Sequence, residues 1–428
     1  MRLSLILLIA LSVLGGCAGA KGDTEYTVNV TGEDATVGGG SHNSASARYA
    51  TIGGGSYNSA RVEHSTVSGG ASNTADATRA TIGGGYANVA SMLDATIGGG
   101  ASNSASGTHA TVGGGSYNAA TGRDSTIAGG YHNTAFGTNS VVGGGARNSA
   151  LGFNATVGGG SDQVAEGSYA FVGGGLSNTA SGVYAAVTGG YGNIAEGSHS
   201  SVLGGLQNTA AGDYGFAAGR YATVREEHNG TFLYADSTDS EFTSTAADEF
   251  AVRATGGVRM VTAVDSSGTP LAGVVLPSGS GSWSSLSDRA AKTNLVPVDV
   301  ELILERLVDL PISTWSYRGQ DPSILHLGPV AQDFAAFGLG EDDRHISGVD
   351  ADGVALAAIQ GLYQRVVEQE SVIEVQQRQI ATLEERVAAL ETGQASRSSG
   401  DGLPVWSGSL LLGLVLVSLA KVPNPSKA

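Results

Sequence analysis

From Val37 onward a β-branched residue returns every fifteen positions, at Val37, Ile52, Val67, Ile82, Ile97, Val112, Ile127, Val142, Val157, Val172, Val187 and Val202. Around it the other positions repeat as columns. Those headed by Gly39 and Gly40 are Gly in all twelve periods, and the one headed by Ala45 is Ala in all twelve. The column headed by Asn43 is Asn in eleven, with Gln163 the exception. A looser Gly column includes Gly107, Gly122, Gly137, Gly152, Gly167, Gly182 and Gly197. A fixed period with β-branched markers and no helical spacing predicts a parallel β-solenoid, one coil per period. The Val/Ile and Ala columns are expected to stack inward as a thin core. The Gly pair is expected to allow positive φ and close backbone approach at a corner. Each Asn is expected to bond its own turn and the Asn of the next coil. Twelve coils at the inter-strand spacing give a rod of about 58 Å.

The pattern then changes. Within 214–282, residues 221–282 lose the period but hold short β-prone runs, Thr231–Tyr234 and Val258–Thr262, between turn residues. These predict a small β-rich neck. Residues 298–310 and 354–367 carry helical apolar spacing. From Leu362 a heptad runs through Val366, Gln369, Ile373, Gln376, Ile380, Leu383, Val387 and Leu390 in steps of four and three. It predicts a coiled coil of about four heptads over 361–392. Gln369 and Gln376 form polar layers that favour a fixed register. Spacing alone admits two strands or three. The expected class is therefore mainly β, a solenoid with a small α+β region and a coiled coil behind it.

Apolar patterning also marks both ends. Leu3–Leu14 follows Arg2 and ends in Leu14-Gly15-Gly16-Cys17. This is a secretory signal. It resembles a lipoprotein signal, which makes Cys17 the lipidated mature N-terminus. A plain signal cut after Ala20 also fits. By the same resemblance Ala18, in place of Asp, favours the outer membrane. Residues 18–33 are expected as a linker before a solenoid over 34–213. Residues 393–428 hold a Ser/Gly-rich linker and the apolar stretch Leu403–Ala420, slightly short for a spanning helix. A membrane anchor and a buried contact between chains fit it equally.

Composition sharpens this picture. The chain has 428 residues, 67 of them Gly and only 9 Pro, which excludes collagen. It is 41% hydrophobic and 14% charged, which argues against simple disorder. A net charge of −17 leaves no basic excess for nucleic acid. The single Cys excludes a disulfide framework. No cofactor is expected. A calcium-binding nonapeptide repeat is excluded by the period and by the lack of an Asp column. Thr36, Thr51, Thr66, Thr81, Thr96 and Thr111 form one row, but the second Thr row of an ice-binding solenoid is missing.

Two family resemblances follow from specific residues. Ala110–Gly115 with Asn118–Gly122 resembles the head repeats of YadA-like trimeric adhesins, over about 34–213. That implies a left-handed β-roll and three chains side by side. Ser287-Asp288 with Lys292, Pro311 with Trp315 and Tyr317, His326–Phe334 and Asp350–Gln360 appear in order. This run, about 283–360, resembles the endosialidase-type intramolecular chaperone of phage tailspikes and tail fibres. The resemblance implies a homotrimer whose C-terminal domain helps the passenger fold and then cuts itself off between Leu286 and Ser287.

The residues suit that chemistry. A Ser hydroxyl needs a base to act as a nucleophile, and Lys292 stands five residues away. A lysine can be that base if desolvation keeps it neutral. Here Arg289 directly follows Asp288, and Ala290 takes the position where the family pattern has Arg. His326 beside Gly-Pro suits a structural role. Asp333, Asp350 and Asp352 suit solvated or capping roles rather than a metal. Two other function classes are a glycan-acting tailspike-like enzyme, which needs paired carboxylates, and a structural spike that is never cut. For the first, the solenoid offers only Asp94, Asp124, Glu166 and Glu196.

Overall fold

A computed structural model describes residues 27–398. Cys17, the signal region and the apolar stretch 403–420 lie outside the described residues. Contacts divide the chain into two units, residues 1–260 with 275–284, and residues 261–274 with 285–428. Each is described by itself.

The first unit is a parallel β-solenoid. Two sheets of fifteen short strands run its length. In one, Thr96 and Ile97 pair with Thr111 and Val112 of the next coil. In the other, Ser104 and Ala105 pair with Ala119 and Ala120. They are called the Val sheet and the Ala sheet below. A third line of single bridges, such as Ser116 with Tyr131, closes each coil. Strand alternation sends Val112 and Ala120 inward and Thr111 and Ala119 outward. The inward rows are buried without residual exposure, including Ile52, Ile82, Ile97, Ile127 and the Ala column.

The Asn column satisfies the corner. Asn73 Nδ2 donates to the Gly69 carbonyl of its own turn (3.1 Å) and to the Gly85 carbonyl of the next coil (2.9 Å). Its backbone N–H donates to Asn58 Oδ1 (3.0 Å), and the chain of acceptors continues coil by coil. Gln163 keeps that ladder, accepting from the Asn178 N–H at 3.0 Å. Its longer side chain donates to Ser161 instead of across the turn.

The Gly pair splits in two. Gly115 has φ +82°, and a Cβ there would overlap the Gly130 carbonyl oxygen. Gly114 beside it has nothing within 4 Å of a Cβ. The second column therefore needs Gly in every coil for reasons inside the chain, whereas in the first only Gly39, Gly84, Gly144 and Gly204 have a positive φ that favours it. Two further positions per coil carry positive φ without being Gly, as at Tyr117 (φ 57°) and Asp124 (φ 56°).

The solenoid also outruns its period. The expected linker contributes a strand, Asn29–Val30, paired with Ser44–Ala45. The expected neck continues both sheets: Phe216 pairs with Phe232 and Phe232 with Phe250. Here coils vary from fourteen to twenty residues, as Thr209 pairs with Thr223 and Ala222 with Phe242. The inward positions remain apolar and buried at Ala217, Ala222, Val224, Leu233 and Ala235. The added residues go into turns, so the repeat fades from the sequence while the stacking persists. A separate three-stranded sheet follows, from Gly257–Val264, Pro270–Pro277 and Ser284–Ser285.

Among the described residues the second unit holds three α-helices, α1 (Val300–Val308), α2 (Ala331–Phe334) and α3 (Gly348–Ser398). Asp299 caps α1, accepting from the N–H groups of Glu301 and Leu302 (3.1 Å each). Gly361 lets α1 lie close on α3, since a Cβ there would press on the Val300 carbonyl and Leu304. Leu310, Phe334, Phe337 and Val354 form the small core. The helix expected at 354–367 and the coiled-coil segment are one continuous helix of 51 residues. Its seam residues Leu362, Val366, Ile373, Ile380, Leu383, Val387 and Leu390 are all exposed in the single chain. No helix of the described residues is long and apolar enough to cross a membrane.

Candidate functional site

The strand Ser284–Ser285 leads straight into the segment with the predicted nucleophile. The Leu286 N–H donates to the Gly273 carbonyl at 2.9 Å, which fixes the backbone just before the Leu286–Ser287 bond. After Ser287 the chain turns. Asp288 caps a single 3-10 turn, Arg289–Ala291, accepting from the Ala290 N–H at 2.7 Å. The Ala291 N–H returns to the Asp288 carbonyl at 3.1 Å, and the Lys292 N–H to that of Arg289 at 3.2 Å.

This turn brings residues five apart together. Lys292 Nζ donates to Ser287 Oγ at 2.6 Å. That is within the reach a base needs to take a hydroxyl proton. Both side chains are exposed in the single chain. Asp288 is thus a capping residue that sets the turn. The cap needs the Asp side chain and the Ala290 N–H, so the displaced Arg of the motif leaves it intact.

The other sequence candidates lie apart from this pair in their contacts. His326 stacks on Trp315 with ring centroids 4.8 Å apart, and its Nε2 meets Gln320 Oε1 at 2.9 Å. The strand pair Ser313–Trp315 and His326–Gly328 aligns Trp315 with His326. His326 is therefore part of an aromatic cluster with Trp315 and Tyr317. Asp333 stands in the first turn of α2 and Asp350 in that of α3, where the helix dipole favours a carboxylate. Asp352 follows inside α3.

Of the candidate solenoid carboxylates, Asp94 and Asp124 are engaged in surface ladders between coils. Arg79 forms a two-pronged pair with Asp94. His109 contacts Asp94 at 3.6 Å and Asp124 at 2.8 Å, and Arg123 reaches Asp124 at 3.0 Å. The hydrogen bond from Arg79 holds Asp94 below the usual carboxylate range. Arg147, with help from Ser161, holds Asp162 at about 2. These ladders sit largely on the left-handed positions, where Arg79, Asp94, His109 and Asp124 occupy one row. Sequence reasoning missed that row because its residues share a backbone conformation and no common side-chain chemistry. The same row carries the stacked rings of Tyr169, Tyr184, His199 and Tyr214.

No curated protein matches the chain. Residues 287–339 match the family model of the chaperone of endosialidase, a peptidase family. The match begins at Ser287 and contains Lys292, Trp315, His326 and Asp333. A β-solenoid followed by an endosialidase chaperone domain has the make-up of a phage tailspike-like fibre, and that chaperone family is associated with trimeric fibres.

Proposed function

We propose that the chain is the subunit of a trimeric surface fibre whose C-terminal module drives assembly and then cuts the chain before Ser287. The 2.6 Å contact between Ser287 and Lys292, at the start of the chaperone match, carries the reading. Ser287 Oγ attacks the Leu286 carbonyl carbon while Lys292 takes the hydroxyl proton. The bond from that carbon to the Ser287 nitrogen breaks, and the nitrogen receives the proton. Leu286 is then esterified to Ser287 Oγ. Water hydrolyses the ester, leaving a Leu286 carboxylate and Ser287 as a new N-terminus. Burial favours a neutral lysine. The pair is exposed in one chain, so covering of the pair as chains assemble is the step that turns the contact into a working dyad.

The displayed part is the solenoid, read as adhesin-like from its resemblance to YadA-like heads. Lipidation at Cys17 and an outer-membrane location complete the reading, with the apolar tail 403–420 left on the released fragment. The intact mass of the wild-type chain and of Ser287→Ala tests it. Wild type should yield two fragments that part before Ser287, and Ser287→Ala should remain whole. A wild-type chain that stays whole, or a variant cut as fast as wild type, sinks the cleavage reading.

A further inference from the structure

One side of the solenoid carries no charge at all. In each of the twelve regular coils this side is six consecutive positions, from the outward residue of the Val sheet to the bridge row. Thr111 to Ser116 is one such stretch and Thr126 to Tyr131 the next. None of these positions in any coil is Asp, Glu, Lys, Arg or His. All thirteen charged residues of 36–215 fall in the other nine positions. The coil itself fixes the inward Val/Ile and the second Gly of this stretch, but the outward residue and the bridge row reach the surface and could carry charge without disturbing the stack. Burying a charge is costly unless it is paired, so a side that is to be covered must lack charge.

Two further observations point the same way. The strip exposes large apolar and aromatic residues, Tyr86, Tyr131, Phe171, Leu176, Tyr191 and Leu203. It also contains the first Gly column. At Gly54, Gly99, Gly114 and Gly159 nothing lies within 4 Å of a Cβ. The chain's own packing leaves room for side chains there, yet all twelve positions are Gly. Gly39, Gly84, Gly144 and Gly204 also have a positive φ that favours Gly; at the other positions a neighbouring surface laid directly on the backbone accounts for it.

We infer that this strip is the surface through which the solenoid meets further copies of this chain, an inference that rests on the trimeric reading. Helix α3 presents an exposed heptad seam that another α3 in register would cover. Such pairing sets copies parallel, with equal coils at equal heights. The strip is about 58 Å long and about 20 Å in contour, on the order of 1,000 Å². A standard interface takes about 800 Å² per partner. The Ala sheet side is less suited, since its outward row is flanked by the row holding Arg61, Asp76, Glu166 and Glu196.

Full-length chains with one added cysteine test the inference. Thr111→Cys and Ser116→Cys lie in the strip, and Thr121→Cys lies on the exposed charged side. The parent chain, whose sole cysteine is Cys17, is the blank. Each is treated with a short bifunctional maleimide, and assembly is followed by light scattering. The expected result is a trimer mass for all, with chains joined in Thr111→Cys and Ser116→Cys and not in Thr121→Cys. A trimer joined through Thr121→Cys and not through the strip overturns the inference and leaves the trimer standing. A single-chain mass with no joining overturns both.

Discussion

The solenoid and the C-terminal helical unit bury their apolar residues in opposite ways. In the solenoid every coil covers the one before it, so the Val/Ile and Ala rows are sealed within one chain. In the helical unit only a small cluster around Leu310, Phe334, Phe337 and Val354 is sealed. The long seam of α3 is left open. One part seals its apolar rows within a single chain, and the other leaves its longest apolar row open. That division suits a module whose task is to bring chains together before a rod stiffens. The Ser287–Lys292 pair belongs to the helical unit and not to the solenoid.

The difference is broken most severely by charging the seam. Ile373→Asp with Ile380→Asp puts two carboxylates where α3 expects apolar neighbours. Most helical stability in proteins comes from packing of an apolar face rather than from propensity. Most of the helical circular dichroism should vanish while the β signal of the coils persists. Loss of both signals together would show that the coils lean on the helix, and the contrast would fail.

Within the solenoid, the two Gly columns give the next largest effect. Gly115→Ala forces a side chain into positive φ and onto the Gly130 carbonyl. Strain and overpacking together should cost about 2–5 kcal/mol. Gly114→Ala meets open space inside the chain, and the stability of the coils should move by no more than about 0.5 kcal/mol. Denaturant melts of the two variants compare them directly. Equal losses would mean that the first column is also fixed by the chain's own packing, which would remove one support for the charge-free strip.

The legible part of the fold was the part that repeats chemistry. The Val/Ile, Ala and Asn columns named the two sheets and the side-chain ladder, because stacking makes each coil solve the same packing problem with the same residues. The Gly pair was half legible: identical residues hide two causes, a backbone clash at Gly115 and open space at Gly114. Continuation of the coils through 222–253 was not legible. There the inward residues persist while coil length drifts, and a period cannot be seen once it varies. The contact of Ser287 with Lys292 was legible through the family resemblance, since a five-residue spacing alone is common, but its cause was not. It depends on the Asp288 cap closing a 3-10 turn, and Asp288 is one residue in a segment with no periodic pattern. The apolar spacing of 354–367 overlaps the heptad that starts at Leu362, and unbroken backbone hydrogen bonding joins the two as one helix.

The smallest effect probes how fully the solenoid satisfies itself. The row headed by Ala50 is mostly Ala and fully buried, but Ser65, Ser125, Ser140 and Ser200 interrupt it. None of these four buried hydroxyls has a hydrogen-bond partner. A buried hydroxyl without a partner costs free energy that Ala would not. Ser140→Ala, which adopts the residue that most coils use at this row, should therefore raise stability by about 1 kcal/mol. The same change on an exposed Ser, such as Ser46→Ala, should be close to neutral by comparison. Thermal melts of the two variants decide the point. A loss of stability in Ser140→Ala would show that its hydroxyl is paired after all. The sealed half of the molecule would then hold polar contacts that stacking alone does not explain.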